Sequence, residues 1–177
     1  LRLFTHNSVK DYYLLMSTTQ LRESLKQRAC ERIDALKNDL VGISHDIHAH
    51  PELRYEENRT AEIVANRLRE LDYQVETGIG KTGVVAVFKN GPGPVVMIRA
   101  DMDGLPVPEQ TGLPYASKVR AISSAGVESG VMHACGHDTH MAGWIGAARA
   151  LAANRDRWSG TLVMIGQPAE EINSGAE

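Results

Sequence analysis

The chain is short of cysteine, of positive charge and of long apolar runs, and each shortage removes a class of function. Cysteine occurs only twice in 177 residues, at Cys30 and Cys135. Thiols about a hundred residues apart make no disulfide framework, so a reducing, cytoplasmic setting is expected. A net charge of -3 gives no pull toward nucleic acid or an anionic membrane surface. No apolar run approaches the ~18 residues of a membrane-spanning helix. Internal repeats and low-complexity tracts are also missing. The first residues lack both an initiating Met and the basic-then-apolar pattern of a signal peptide. Met16, followed by Ser-Thr-Thr-Gln and a helical pattern, looks like a natural start. Residues 1–18 are therefore expected to be a disordered or non-native leader, with residues 19–177 forming one folded part.

What is present is enough for a core, at 42% hydrophobic residues. Leu21, Leu25, Ala29, Ile33, Leu36, Leu40, Ile43 and Ile47 recur every three or four positions, which predicts an amphipathic helix. Pro51 ends it near His48-Ala49-His50. Cys30 lies among charged neighbours and reads as an unreactive thiol. His45 and His48 share a helix face and could bind a metal; equally, the three histidines could cap carbonyls or face solvent. A second helix is predicted from Asn58 or Thr60 to Leu71, with Asn58 as its cap. Strands are expected at Gln74–Thr77, at Val84–Phe88 and, as a buried strand, at Val95–Ile98. Residues 104–131 read as one long loop, a length that is usually functional or disordered. An alanine-rich helix should span Met141–Ala153, and a last buried strand Thr161–Ile165. Helices alternating with apolar strands argue an α/β sheet with helices on both faces.

The chemistry concentrates in Met132-His133-Ala134-Cys135-Gly136-His137-Asp138-Thr139-His140. Nine residues hold three of the seven histidines, a cysteine and an aspartate. Thiolate and imidazole favour zinc-like ions. Asp101 and Asp103 follow one strand, and Glu170 and Glu171 follow another. Ligands in open α/β sheets bind beyond the carboxyl ends of the strands, so these groups should meet at one rim. Adjacent glutamates pointing in different directions suit one general base and one ligand. His140 suits a supporting or substrate-facing role, and Asp138 either a helix cap or a site role. A cysteine nucleophile with His137 as its base is the rival chemistry, made awkward by the two-residue spacing.

The sequence resembles the zinc metallopeptidase superfamily of aminoacylases and carboxypeptidases, in particular its branch of N-acyl amino acid amidohydrolases, the hippurate and auxin-conjugate hydrolases. Four segments carry the likeness: His48-Ala49-His50-Pro51-Glu52-Leu53, Arg99 through Pro106, Met132 through His140, and Gln167-Pro168-Ala169-Glu170-Glu171. The resemblance implies a zinc-peptidase-like catalytic domain with a mixed sheet flanked by helices. It implies two divalent ions, zinc before manganese or cobalt, with Cys135, His137 and Glu171 as ligands. Glu170 would be the general base acting on a metal-activated water, and Asp103 the aspartate that orients the site. Asp101 stands where other branches place a histidine and is left out of the ligand set. Substrates would be N-acyl amino acids or dipeptide-like molecules, and the full-length form a homo-oligomer. Further histidine ligands and a lid or dimerisation domain are implied after the glutamate pair. The chain is therefore expected to be the N-terminal portion of such an enzyme, incomplete by itself. The alternative is a non-catalytic fragment that binds metal weakly or acts as an interaction module.

Overall fold

A computed structural model describes residues 18–122 and 126–176. The leader expected over residues 1–18 lies outside them except for Thr18, which opens the first helix, α1 (Thr18–Ala49). The chain divides into two compact units, Leu1–Ala35 and Leu36–Glu177. In the first, the described residues are helical. Everything below concerns the second.

After the end of α1 come α2 (Asn58–Arg69), β1 (Gln74–Ile79), β2 (Gly83–Asn90) and β3 (Val95–Asp101). They are followed by β4 (Arg120–Ile122), β5 (Glu128–Gly130), α3 (His137–Ala153) and β6 (Gly160–Gln167). The main sheet has the order β1-β2-β6-β3. Strands β1, β2 and β6 are antiparallel neighbours, while β3 runs parallel to β6. The sheet is thus mixed, as the resemblance implies. The parallel pair is joined through α3, the crossover that such pairing requires.

One apolar core joins Ile43 and Ile47 of α1, Val64 and Leu68 of α2, and Met141 and Ile145 of α3 to Val84, Ala86, Leu162 and Met164 of the sheet. Alternation along a strand sends Val85, Val87, Val163 and Ile165 to the opposite face, where they are only half-buried. The three helices therefore share one face, correcting the expectation of helices on both. At Gly166 an added Cβ would stand 2.9 Å from Met102 Sδ, so this position lets Met102 lie close on β6.

Three further expectations change. Strand β3 lies at the edge of the described sheet, with Val95, Val96 and Met97 69%, 48% and 65% exposed. Its continuous apolar run resembles a buried strand, but among the described residues only β6 pairs with it. The long loop contains a short hairpin, β4–β5. The α2 cap is not Asn58, whose side chain turns back to the Glu56 carbonyl. Instead Glu52 reaches forward, accepting the N–H groups of Arg59 at 3.0 Å and Thr60 at 2.8 Å. A carboxylate on these orphan donors does a capping residue's work from a preceding turn.

Candidate metal centre

Register places the site. Asp101, last in β3, pairs with Gln167, last in β6, so both strands deliver their following segments to the same rim. From β3 comes Asp103, buried to 1% exposure. From β6 comes a turn through Ala169 into the short 3-10 helix Glu170–Ile172. The Asp103 carboxylate joins the two segments, accepting the Glu170 N–H on Oδ1 and the Glu171 N–H on Oδ2, both at 3.1 Å. Burial pushes its pKa up, but His137 and then these amides together outweigh it and hold the carboxyl below its usual value.

His137 opens α3. Gly136 before it has φ 77°, a left-handed conformation natural to glycine, and this turns the chain from the Cys135 loop into the helix. The Nδ1–H of His137 donates to the Asp103 backbone carbonyl at 2.8 Å, with the Asp103 carboxylate 3.5 Å away. With Nδ1 occupied, Nε2 is the nitrogen left to face outward. It looks onto Glu170 Oε2 at 3.6 Å and Glu171 Oε1 at 4.0 Å. His137, Glu170 and Glu171 each offer one donor atom within 4.8 Å of the others. Cys135 lies outside that triplet, with Glu171 the carboxylate that acts most strongly on its thiol.

The electrostatics ask for a cation. The Asp103 carboxylate, against the opposing effect of burial, raises the His137 imidazole to about 9. The contact with Glu171, then burial and the surrounding carboxylates, push the Cys135 thiol up to about 11. Glu171 Oε1 is buried without a hydrogen-bond partner. Thiol, imidazole and carboxylates held this close lose their mutual cost when a divalent ion replaces the protons, so the donor set fits such an ion. The same numbers count against a cysteine nucleophile, which needs a lowered thiol pKa.

The remaining sequence candidates fall around this group. His140 Nδ1 lies 3.5 Å from Asp101 Oδ2, and Arg99 Nε is 3.5 Å from Asp101 Oδ1. A hollow of about 320 Å³, lined partly by Arg99, Gln167 and Asn173, opens beside Glu170. His50 places Nδ1 on the Asp46 carbonyl at 2.8 Å, the capping contact that a helix-end histidine can make. His45 stacks on Tyr115 with ring centroids 3.6 Å apart. His133 is buried with neither ring nitrogen hydrogen-bonded among the described residues, and burial holds its pKa down to about 4.

Asp138 is not the α3 cap. It is buried in the first turn and accepts from His48, whose Nδ1 stands 3.0 Å from its Oδ2. The other His48 nitrogen lies 3.1 Å from Glu109 Oε1. Glu109 also takes the Thr111 hydroxyl and the Ser117 N–H, so His48 ties the irregular loop to α1 and α3. Burial alone would lower the His48 pKa, but the two carboxylates outweigh it and raise it above 6.5. A raised folded value means that stability is fully present below pH 6.5 and is lost as pH rises through the folded pKa. His48→Gln should therefore cost most between pH 4.5 and 6.5, where Glu109 stays ionised and the imidazole is charged. A hydrogen bond to a charged group is worth about 1.5–3 kcal/mol, and with glutamine able to keep one of the two partners the cost should be about that of one such bond. Urea unfolding of both proteins across pH checks it; a difference that grows above neutrality would refute the assignment.

The strand ends of this α/β sheet thus gather imidazole, thiol and paired carboxylates, a donor set suited to a divalent metal ion. Comparison with known proteins finds a family likeness: residues 97–177 match the model of Peptidase family M20/M25/M40. It is 45% identical over 148 residues to thermostable carboxypeptidase 1 of Saccharolobus solfataricus, covering 78% of this chain and 35% of that protein. It is 44% identical over 143 residues to the hippurate hydrolase of Campylobacter jejuni, covering 80% and 34%. Among solved structures it is similar to a Bacillus subtilis protein described as a dinuclear metal binding peptidase from the M20 family. That match has TM-score 0.71 and 43% identity, over 81% of this chain and 38% of the other. The chain thus spans about a third of the length of these relatives.

No sequence signal marks Glu109, which sits in a segment without periodicity or motif and meets His48, 61 positions away.

Proposed function

We propose that the whole protein to which these residues contribute hydrolyses the amide bond of N-acyl amino acids or dipeptide-like substrates. Cys135, His137 and Glu171 hold divalent ions in this reading, and Glu170 is the general base. The observation that carries it is the fixed His137 ring, with Nδ1 on the Asp103 carbonyl and Nε2 facing the glutamate pair. Divalent ions, when bound, polarise the amide carbonyl and acidify water at the site. Glu170 takes a proton from the attacking water as the C–O bond forms, then passes it to the nitrogen as the C–N bond breaks. Asp103 keeps both glutamate amides in place through this exchange. The names of the relatives, a carboxypeptidase and a hippurate hydrolase, support the substrate class. Thiolate and imidazole favour zinc, while the carboxylates admit manganese or cobalt.

Two free thiols support a reducing cytosol, and the charge of -3 supports a small-molecule partner rather than nucleic acid. No helix among the described residues is long and apolar enough to cross a membrane. Homo-oligomerisation and the role of residues 19–177 as the N-terminal part of the catalytic domain rest on the family resemblance.

Metal content by mass spectrometry on the whole protein tests the assignment, alongside Cys135→Ala. Two ions per chain are expected in the wild type, and a metal affinity at least about tenfold weaker in the variant. Unchanged affinity would make Cys135 structural, and a wild type without tightly held ions would remove the metal-centre reading. Loss of activity to chelators but not to alkylation of the metal-loaded protein separates this chemistry from a thiol enzyme.

A further inference from the structure

Glu57 is a carboxylate with no part in the metal centre, yet it is fully buried at the start of α2. A leucine would fill the same space without the cost of burying a polar group. Both its oxygens are used. Oε2 accepts the hydroxyl of Thr82, in the turn between β1 and β2, and Oε1 accepts the Ala169 N–H at 2.9 Å. Ala169 is itself buried and holds φ 52°, ψ 34°, a left-handed conformation disfavoured for a residue with a Cβ. Three successive amides are thereby taken by two buried carboxylates: Ala169 by Glu57, then Glu170 and Glu171 by Asp103. Asp103 grips the glutamates themselves. The residue that turns the chain toward them is held by Glu57.

We propose that Glu57 is a positioning residue for the metal centre: by accepting the Ala169 N–H it fixes the left-handed turn from which Glu170 and Glu171 face His137. The inference rests on the reading of those glutamates as site residues. Glu57 is bound through Thr82 to the β1–β2 turn, so the hairpin sets where the glutamate pair sits. A glycine at position 169 would adopt the same turn without that support.

The test uses the full chain carrying Glu57→Gln, Glu57→Leu, and Glu57→Leu combined with Ala169→Gly. Zinc affinity is read by competition with a chromophoric chelator, and amide hydrogen exchange is read on the metal-free proteins. In Glu57→Gln the side-chain oxygen still accepts from Ala169 and the amide can donate to Thr82, so affinity should stay within about threefold of wild type. Glu57→Leu should weaken zinc about 10–100-fold, as loss of a supporting partner does. Its Ala169, Glu170 and Glu171 amides should lose protection while β6 keeps its own. Adding Ala169→Gly should restore most of the affinity, which a general loss of stability would not allow. Wild-type affinity and protection in Glu57→Leu would overturn the proposal. So would a loss that Ala169→Gly leaves unrepaired, or one equally large in Glu57→Gln. Should Glu57→Leu not fold, Thr82→Val removes the anchor behind Glu57. Several-fold weaker zinc and faster exchange at Ala169 are then expected, and no change in either would overturn the proposal. A wild type that binds no zinc would instead sink the metal-centre reading, while the exchange data still decide whether Glu57 fixes the turn.

Discussion

Glu170→Gln in the whole protein is expected to keep its metal and lose about 10²–10⁴-fold in turnover, the usual contribution of a positioned general base. The substitution preserves shape and removes only the ability to accept a proton near neutral pH. It should also preserve the backbone, because Asp103 holds residue 170 by its N–H and not by its side chain. The fall should therefore appear in kcat, with KM little changed. Metal content separates two roles that geometry alone leaves close together. Glu170 Oε2 stands 3.6 Å from His137 Nε2, near enough to share in holding an ion as well as to move a proton. Retained metal with lost turnover identifies the base. Metal and turnover falling together would make Glu170 a ligand, and wild-type rates would sink both roles.

The parts of this site that can be read from sequence are those set by local rules. Apolar runs place β3 and β6, and chain direction in an α/β sheet then brings the residues after each to one rim. Asp103 and the glutamate pair meet there because Asp101 and Gln167 are in register. Cys135 and His137 announce themselves by chemistry, needing no knowledge of the fold. What sequence does not reveal are the polar contacts across long separations. Glu57 and Ala169 are 112 positions apart, and His48 and Asp138 are 90 apart. No periodicity marks such partners, since each depends on how three or more elements stack. The burial of β3 is illegible for a related reason. An apolar run records that a strand can be covered, while its exposure depends on which strands pair beside it. Asp138 is a different failure. Its place at the head of α3 suggests a cap, but Gly136 already turns the chain there, which leaves the carboxylate free to take His48.

Asp103→Asn should be the most damaging single-atom-scale change in the site, felt in the metal-free protein as well as the loaded one. Each Asp103 oxygen accepts one backbone N–H, from Glu170 and from Glu171, and the residue is 1% exposed. An asparagine offers one acceptor and one donor, so one of the two amides would face an NH2 group in a place that water reaches poorly. An unsatisfied buried group costs about 1–3 kcal/mol, and facing two donors together places the loss toward the upper end. The charge is lost as well. The Asp103 carboxylate is the main reason that the His137 imidazole stands near 9, so the variant should let that value fall toward the ordinary 6.5. Easier deprotonation of His137 alone would favour metal binding, whereas a displaced Glu170–Glu171 turn would oppose it. The turn should win, because the Nδ1 contact of His137 goes to the Asp103 backbone carbonyl and survives the substitution, while both glutamate anchors depend on the side chain. Zinc affinity should accordingly drop about 10–100-fold, as when other supporting partners of metal ligands are removed. Urea unfolding of the metal-free variant gives the first quantity and chelator competition the second. Zinc binding that tightens in Asp103→Asn would show that His137 protonation, and not the geometry of the glutamate pair, governs the site.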